Sequence, residues 1–330
     1  AMKELDTIDP ALHGAYRICR ELNARHGKTY FLATRLLPVD KRAAVHALYG
    51  FARMVDDIVD LEGTEIVVGS DELNARRLAE LDLIESRVRA ALAGEPLSES
   101  VSDQVLSALC DTALRYDIPH DYFFAFMRSM RMDIPGSTVF ISRYRTMEQL
   151  REYMYGSAAV IGLQMLPILG TVVDRAEAEP PAAALGEAFQ LTNFIRDMGE
   201  DLDRDRIYLP MDELEAFGVD EELLRWCRTT GNVDAKVGRA LAHQIAVTRS
   251  IYRTSDAGIE MLDPRVRPSM RTASILYGRI LDEVESQGYR VLSQRATVPQ
   301  WTRARIALPQ FFVTGFERAT FARRPSPVRA

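Results

Sequence analysis

Cysteine is scarce in this chain: Cys19, Cys110 and Cys227 are its only three, far apart and odd in number. That spacing builds neither a disulfide framework nor a thiolate metal site, and free thiols fit a reducing compartment. Histidine is also thin, with five residues and no H-x-x-x-H pair, which argues against zinc. Positive charge is not in excess, since 41 Lys and Arg stand against 47 Asp and Glu, so no global basic surface favours nucleic acid. Runs of alternating apolar and polar residues are missing, as is a G-x-G-x-x-G following a strand, so no dinucleotide fold is read. Long hydrophobic runs are absent too. The most apolar stretch, "AAVIGLQMLPILGTVV" from Ala158 to Val173, is interrupted by Gln164 and Pro167 and reads as a core helix. The N-terminus shows no signal-peptide pattern, and Ala1 before Met2 reads as an added residue. The expectation is a soluble, cytoplasmic protein.

What the chain does hold is helical periodicity over a length that can bury a large core: 330 residues, 47% hydrophobic and 27% charged. Pro38 opens an amphipathic segment through Asp60, and "EGTEIVVGSDE" follows as a loop. "ELNARRLAELDLIESRVRAALAG" reads as a charged helix stopped by Gly94. Further helices are predicted at about 98–116, 120–132, 146–170, 182–203, 233–256 and 268–290. Breaks are placed at Pro119, "PGS" at 135–137, "EPP" at 179–181, Pro210 and "LDPRVRP". No repeat and no Gly-, Ser- or Pro-rich linker divides the chain, so one all-α domain over residues 1–330 is expected, with a basic tail at about 317–330.

Two acidic clusters stand out. "FARMVDDIVD" at 51–60 sets Asp56, Asp57 and Asp60 among apolar residues, and "NFIRDMGEDLDRD" at 193–205 repeats the theme. Residues four apart share a helix face, which pairs Asp56 with Asp60 and puts Asn193, Asp197 and Asp201 on one stripe. Two like charges about 6 Å apart repel by about 2.8 kcal/mol at an effective dielectric of about 20. A solvated face with ordinary ion pairs is the bland reading of either cluster. However, Phe51, Met54, Val55, Ile58 and Val59 make a poor water-facing surface around Asp56. Hard oxygen ligands without thiolate or imidazole point to Mg²⁺ bridged to phosphate oxygens. Arg53 and Arg196 offer forks for a diphosphate, although each also reads as the partner of an adjacent aspartate.

With these motifs in order, the chain resembles the phytoene/squalene synthase family, which joins two isoprenoid diphosphates head to head. The resemblance runs from "HGKTYFLATRLLP" at 26–38 to "YGRILDEVESQGY" at 277–289. It takes in "YGFARMVDDIVD", "YMYGSAAVIGL" and "AFQLTNFIRDMGEDLDRDRIYLP" on the way. It is strongest to the bacterial phytoene synthases. The resemblance implies an isoprenoid-synthase-type helical bundle around a central cavity. It implies Mg²⁺, with Mn²⁺ as a substitute, held by Asp56 and Asp60 from one wall and by Asn193, Asp197 and Asp201 from the other. Diphosphate would be held by Arg53 and Arg196, with His26, Lys28, Thr29, Tyr49, Gln190 and Tyr277 completing the polar end. Tyr153 would lie near the reacting carbons.

The implied substrates are two geranylgeranyl diphosphates, giving phytoene through a cyclopropyl diphosphate for carotenoid biosynthesis, without NADPH. The alternatives are squalene or dehydrosqualene formation from two farnesyl diphosphates, or a non-catalytic relative acting as an assembly factor. Peripheral docking to the inner face of the membrane is a further reading, suggested by a greasy product and the basic tail. Residue-level alternatives also stand: Tyr49 and Tyr153 as core aromatics, and Gly156, Ser157 and Gly162 as close-packing positions. Gly27 stands where relatives often carry serine, Arg295 lies near a phosphate-contacting arginine of the family, and the 133–143 segment receives no role.

Overall fold

The computed structural model of the protein describes residues 3–59 and 70–299. Among these residues there is no strand, and only two isolated backbone bridges occur, Arg143 with Ile207 and Thr171 with Leu262. The helices are α1 (His13–His26), α2 (Lys28–Thr34), α3 (Val39–Val59), α4 (Ser70–Leu92), α5 (Val101–Arg115) and α6 (Asp121–Arg131). They continue as α7 (Met147–Met154), α8 (Val160–Leu169), α9 (Arg175–Asp203), α10 (Met211–Ala216), α11 (Glu221–Thr230), α12 (Ala235–Ile259) and α13 (Arg267–Ser286).

Local chemistry sets many of the ends. Ser100, Thr146 and Asp220 each cap a helix by accepting the backbone N–H three residues on, at 3.2, 3.2 and 2.8 Å. Caps of this kind are worth about 1 kcal/mol each. Gly231 stops α11 in the left-handed conformation (φ 71°), which a side chain would strain.

Two expectations are corrected. The break expected at "EPP" is not there, because α9 runs straight through Pro180 and Pro181. Both prolines lie within its first two turns, so the only carbonyls left without an intrahelical donor are those of Ala176 and Glu177, on exposed residues that water can reach. The Pro181 ring also packs on α12 so closely that a Cβ on Gly258 would lie 2.4 Å from it. The helix expected at 146–170 exists, but α7 and α8 are joined by a π-helical turn, Tyr155–Ala159. Such turns shift the side-chain register within one continuous helix.

Burial divides into two apolar cores. One gathers Phe51, Leu106, Phe123, Met127 and Leu166 from α3, α5, α6 and α8, with Phe51 edge-on to Phe123 at 5.9 Å. The other gathers Tyr153, Leu191, Ile195, Leu241 and Leu281 from α7, α9, α12 and α13. Met270 of α13 packs against both. The three cysteines are buried free thiols. Helix α8 and the π turn press against α9 through glycines: a Cβ on Gly162 would sit 2.2 Å from the Ala182 carbonyl oxygen, and one on Gly186 2.3 Å from that of Ala158. Gly156 meets the Ala125 carbonyl of α6 in the same way, at 2.2 Å. Gly156 and Gly162 of "YGSAAVIG" therefore serve close helix packing.

Because a backbone carbonyl cannot yield as a side chain does, Gly162→Ala should destabilise the fold by about 1–3 kcal/mol. Urea unfolding checks this; an unchanged midpoint would contradict the close contact.

Candidate active site

Helices α3 and α9 face one another across a cavity of about 630 Å³. Tyr49, Ala52, Asp56 and Val59 line it from α3 and fall on one helical face by their spacing. Gln190, Asn193 and Arg196 line it from α9, Tyr277 from α13, and Tyr153, Ser157 and Gln164 from the central α7–α8 helix. His26, exposed at the end of α1, sits at its rim with Gly27. The bare backbone of Gly27 matters here, since a Cβ would lie 2.7 Å from Asn23 Oδ1 and 2.8 Å from the Tyr49 ring. Through Tyr30, Ile161 and Met165 the cavity adjoins a narrower apolar pocket of about 100 Å³, walled by residues such as Leu166, Leu185 and Phe189. Tyr30 donates its hydroxyl proton to Met165 Sδ at 3.3 Å across that neck.

The structure thus brings together Asp56, Asn193, Gln190, Arg196, Tyr49, Tyr153, Tyr277 and His26. Asp197 meets the cavity through two arginines. Arg196 Nε donates to its Oδ1 at 2.7 Å, and Arg295 Nε lies 2.8 Å from the same oxygen. Arg295, which sequence reasoning left unassigned, is therefore part of the site. Arg53 is not on the cavity wall and pairs with Asp57 one turn along. Asp201 opens onto an adjoining pocket of about 340 Å³ with Arg204, Arg206 and Tyr208. Burial pushes its carboxyl up to about 7, and the Asp197 charge adds to that. Asp60 lies outside the described residues, as does the basic tail; nothing is described of the Lys28 and Thr29 side chains.

Sequence reasoning missed a polar network on the far wall. Asp133 Oδ2 accepts the Tyr153 hydroxyl proton at 2.6 Å, and its Oδ1 accepts from Tyr208 at 2.8 Å and pairs with Arg206. Tyr208 stacks on Phe194 at 4.3 Å. Asp133 lines both the main cavity and the adjoining pocket. In the sequence Asp133 ends "RMD", a stretch that enters the family resemblance without naming a partner for the aspartate.

Among the described residues no three His, Cys, Asp or Glu side chains converge to hold a metal unaided. The donor set still fits Mg²⁺, which takes one or two carboxylates and completes its shell with water and phosphate oxygens. Asn193 Oδ1 is buried beside the cavity and accepts no hydrogen bond, a cost of about 1–3 kcal/mol that a cation would relieve.

The described residues thus form an all-α bundle in which aspartate-bearing helices face one another across a cavity that adjoins an apolar pocket. The squalene/phytoene synthase family model matches residues 23–302, and the chain belongs to that family. It is 35% identical over 300 residues to a phytoene synthase from Arthrospira platensis, covering 88% of this chain and 90% of that protein. A 15-cis-phytoene synthase from Synechococcus elongatus is 34% identical over 303 residues, covering 89% and 91%. Among solved structures, a dehydrosqualene synthase superposes with a TM-score of 0.76 at 23% identity over 94% of this chain and 98% of its own. A squalene synthase from Alicyclobacillus acidocaldarius gives 0.72 at 26% identity over 87% and 98%. The relatives' names define a transferase class that this fold serves.

The raised carboxyl of Asp201 has a signed consequence. A native value above the unfolded one means that its contribution to stability is present at low pH and lost as pH rises towards about 7. Metal binding needs the deprotonated form, so Mg²⁺ should raise the melting temperature more at pH 8 than at pH 6. Asp201→Asn should flatten that difference; equal stabilisation of the unsubstituted protein at both pH values would contradict a ligand role.

Proposed function

We propose that this protein is a phytoene synthase, condensing two geranylgeranyl diphosphates head to head. The observation that carries the reading is the continuity of the cavity. Polar groups from α3, α9 and α13 crowd one part of it, and an apolar pocket adjoins it past Tyr30 and Met165. A prenyl diphosphate is polar at one end and hydrocarbon along the rest, and this void has the same division. The phytoene synthase relatives at 34–35% identity support the same choice.

Asp56, Asn193, Asp197 and Asp201, with Asp60, would hold the divalent cation. When bound, Mg²⁺ or Mn²⁺ supplies charge neutralisation for a departing diphosphate. The arginines act in a complementary way. In the structure Arg196 and Arg295 occupy the Asp197 carboxylate. Arg196 and Arg295 would turn to the phosphate oxygens of a diphosphate, which would leave the Asp197 carboxylate available as a metal donor. Arg53, held by Asp57 off the cavity wall, would reach a diphosphate only by leaving that partner. His26, Lys28, Thr29, Tyr49, Gln190 and Tyr277 complete the polar end. The allylic cation left behind alkylates the double bond of the second molecule, and loss of a proton from the adjoining carbon closes the ring to give a cyclopropyl diphosphate. Its ionisation, rearrangement and proton loss give phytoene, and the apolar wall excludes the water that would quench a cation to an alcohol. No NADPH enters this route.

No helix among the described residues is long and apolar enough to cross a membrane. Peripheral attachment to an inner-membrane face remains part of the proposal, since product and substrate tails are hydrophobic.

Purified protein given Mg²⁺ and labelled C20 or C15 diphosphates, with and without NADPH, should form a C40 hydrocarbon from the C20 substrate alone. Exclusive formation of a C30 product would replace this reading with squalene or dehydrosqualene synthesis. Asp56→Ala and Asp197→Ala should each lower turnover by at least about 100-fold with helix content by circular dichroism unchanged. Normal turnover in either variant would remove its metal role.

A further inference from the structure

The final step of the proposed reaction releases a proton from carbon, and the cavity wall holds a tyrosine backed by a carboxylate. Tyr153 is 3% exposed and lines the cavity. Its hydroxyl donates to Asp133 Oδ2 at 2.6 Å, which leaves the phenolic oxygen's lone pairs as the basic feature turned away from that carboxylate. Asp133 is fixed from the other side: Tyr208 donates to Oδ1 at 2.8 Å, and Arg206 pairs with the same oxygen. Oδ2 therefore serves Tyr153 while Oδ1 serves the anchors. Arg206 also donates to the Tyr208 hydroxyl at 3.2 Å, closing the network. The tyrosine rings are held as well, since Tyr153 lies 5.5 Å from Tyr208 and 5.6 Å from Tyr144.

We propose that Asp133 is the terminal proton acceptor of the second half-reaction, acting through Tyr153. The inference rests on the head-to-head condensation proposed above. In this step a C–H bond next to the cationic carbon breaks and its electron pair becomes the new C=C bond. The proton bonds to Tyr153 Oη, while the proton already on that oxygen passes to Asp133 Oδ2. The tyrosine ends as it began, the carboxylate ends neutral, and no oxidant or reductant is needed. Arg206 and Tyr208 hold Oδ1 in place, so the receiving oxygen stays 2.6 Å from the phenol. Burial holds the Asp133 carboxyl above the usual carboxylate range, against the opposing pull of Arg206, and so strengthens it as a base. Asp133 touches no substrate in this scheme. It positions Tyr153 and takes its proton, and Tyr153 is the catalytic group.

A group that only braced the wall would affect both half-reactions, whereas a proton acceptor for the last step alters how the intermediate divides. Asp133→Asn keeps the shape and a hydrogen-bonding partner for Tyr153 but removes the base. Tyr153→Phe leaves the contacts of Asp133 with Arg206 and Tyr208 in place and removes only the phenol. With the prenyl diphosphate that the unsubstituted enzyme turns over, cyclopropyl diphosphate and hydrocarbon are quantified separately. Both variants should lower the hydrocarbon-to-intermediate ratio by about 100-fold or more, with alcohols from water capture rising in its place. A ratio within threefold of the unsubstituted enzyme in either variant, whatever the total rate, would overturn the proposal. Use of C15 instead of C20 diphosphate by the unsubstituted enzyme would revise the substrate and leave this ratio test intact. Condensation of neither would overturn the functional reading and this inference with it.

Discussion

Carboxylates gathered around a low-dielectric cavity repel one another, and the rest of this site is arranged around that repulsion. Asp56 faces the cavity from α3, while Asp197 and Asp201 stand four residues apart on α9. The protein answers with guanidinium groups. Arg196 and Arg295 flank Asp197, Arg206 holds Asp133, and Asp201, without a paired arginine in the described contacts, is the carboxyl pushed up to about 7. Each arginine that quiets a carboxylate is also a ready phosphate ligand. The same pairs thus offset the repulsion and, under the proposed function, would supply groups for a diphosphate.

Holding that arrangement open requires rigid walls, and the walls come from close helix packing. Glycines 156, 162 and 186 let the central helix approach α6 and α9 to backbone contact. The π turn at Tyr155–Ala159 sits in that contact, between Tyr153 and the residues that border the apolar pocket. A helix locked on two sides by backbone can present Tyr153, Ser157, Ile161 and Gln164 to the cavity at fixed positions. Both apolar cores end at this void, so neither fills it.

Much of this was legible in the chain. Helix α3 begins where Pro38 suggested, α4 ends just before Gly94, and the four-residue spacing placed Asn193, Asp197 and Asp201 on one helix. These features are local: they depend on i, i+4 geometry and on where proline and glycine are tolerated. Pro180 and Pro181 misled because a proline's effect depends on its distance from the helix start and on what its ring packs against, here Gly258. Helices α1, α2, α10 and α11 were passed over for a related reason, their short apolar stripes gaining meaning only against neighbours.

The sequence by itself determined the element types, the acidic stripe of α9 and the family, because periodicity and ordered motifs survive without coordinates. Only the tertiary structure decided which carboxylate meets which arginine. It divided Asp201 from Asn193 between adjoining pockets and set Asp133 behind Tyr153, 20 residues away in the chain. Contacts of that kind are fixed by how helices cross, and a linear pattern carries the face a side chain occupies but not the partner that face will find.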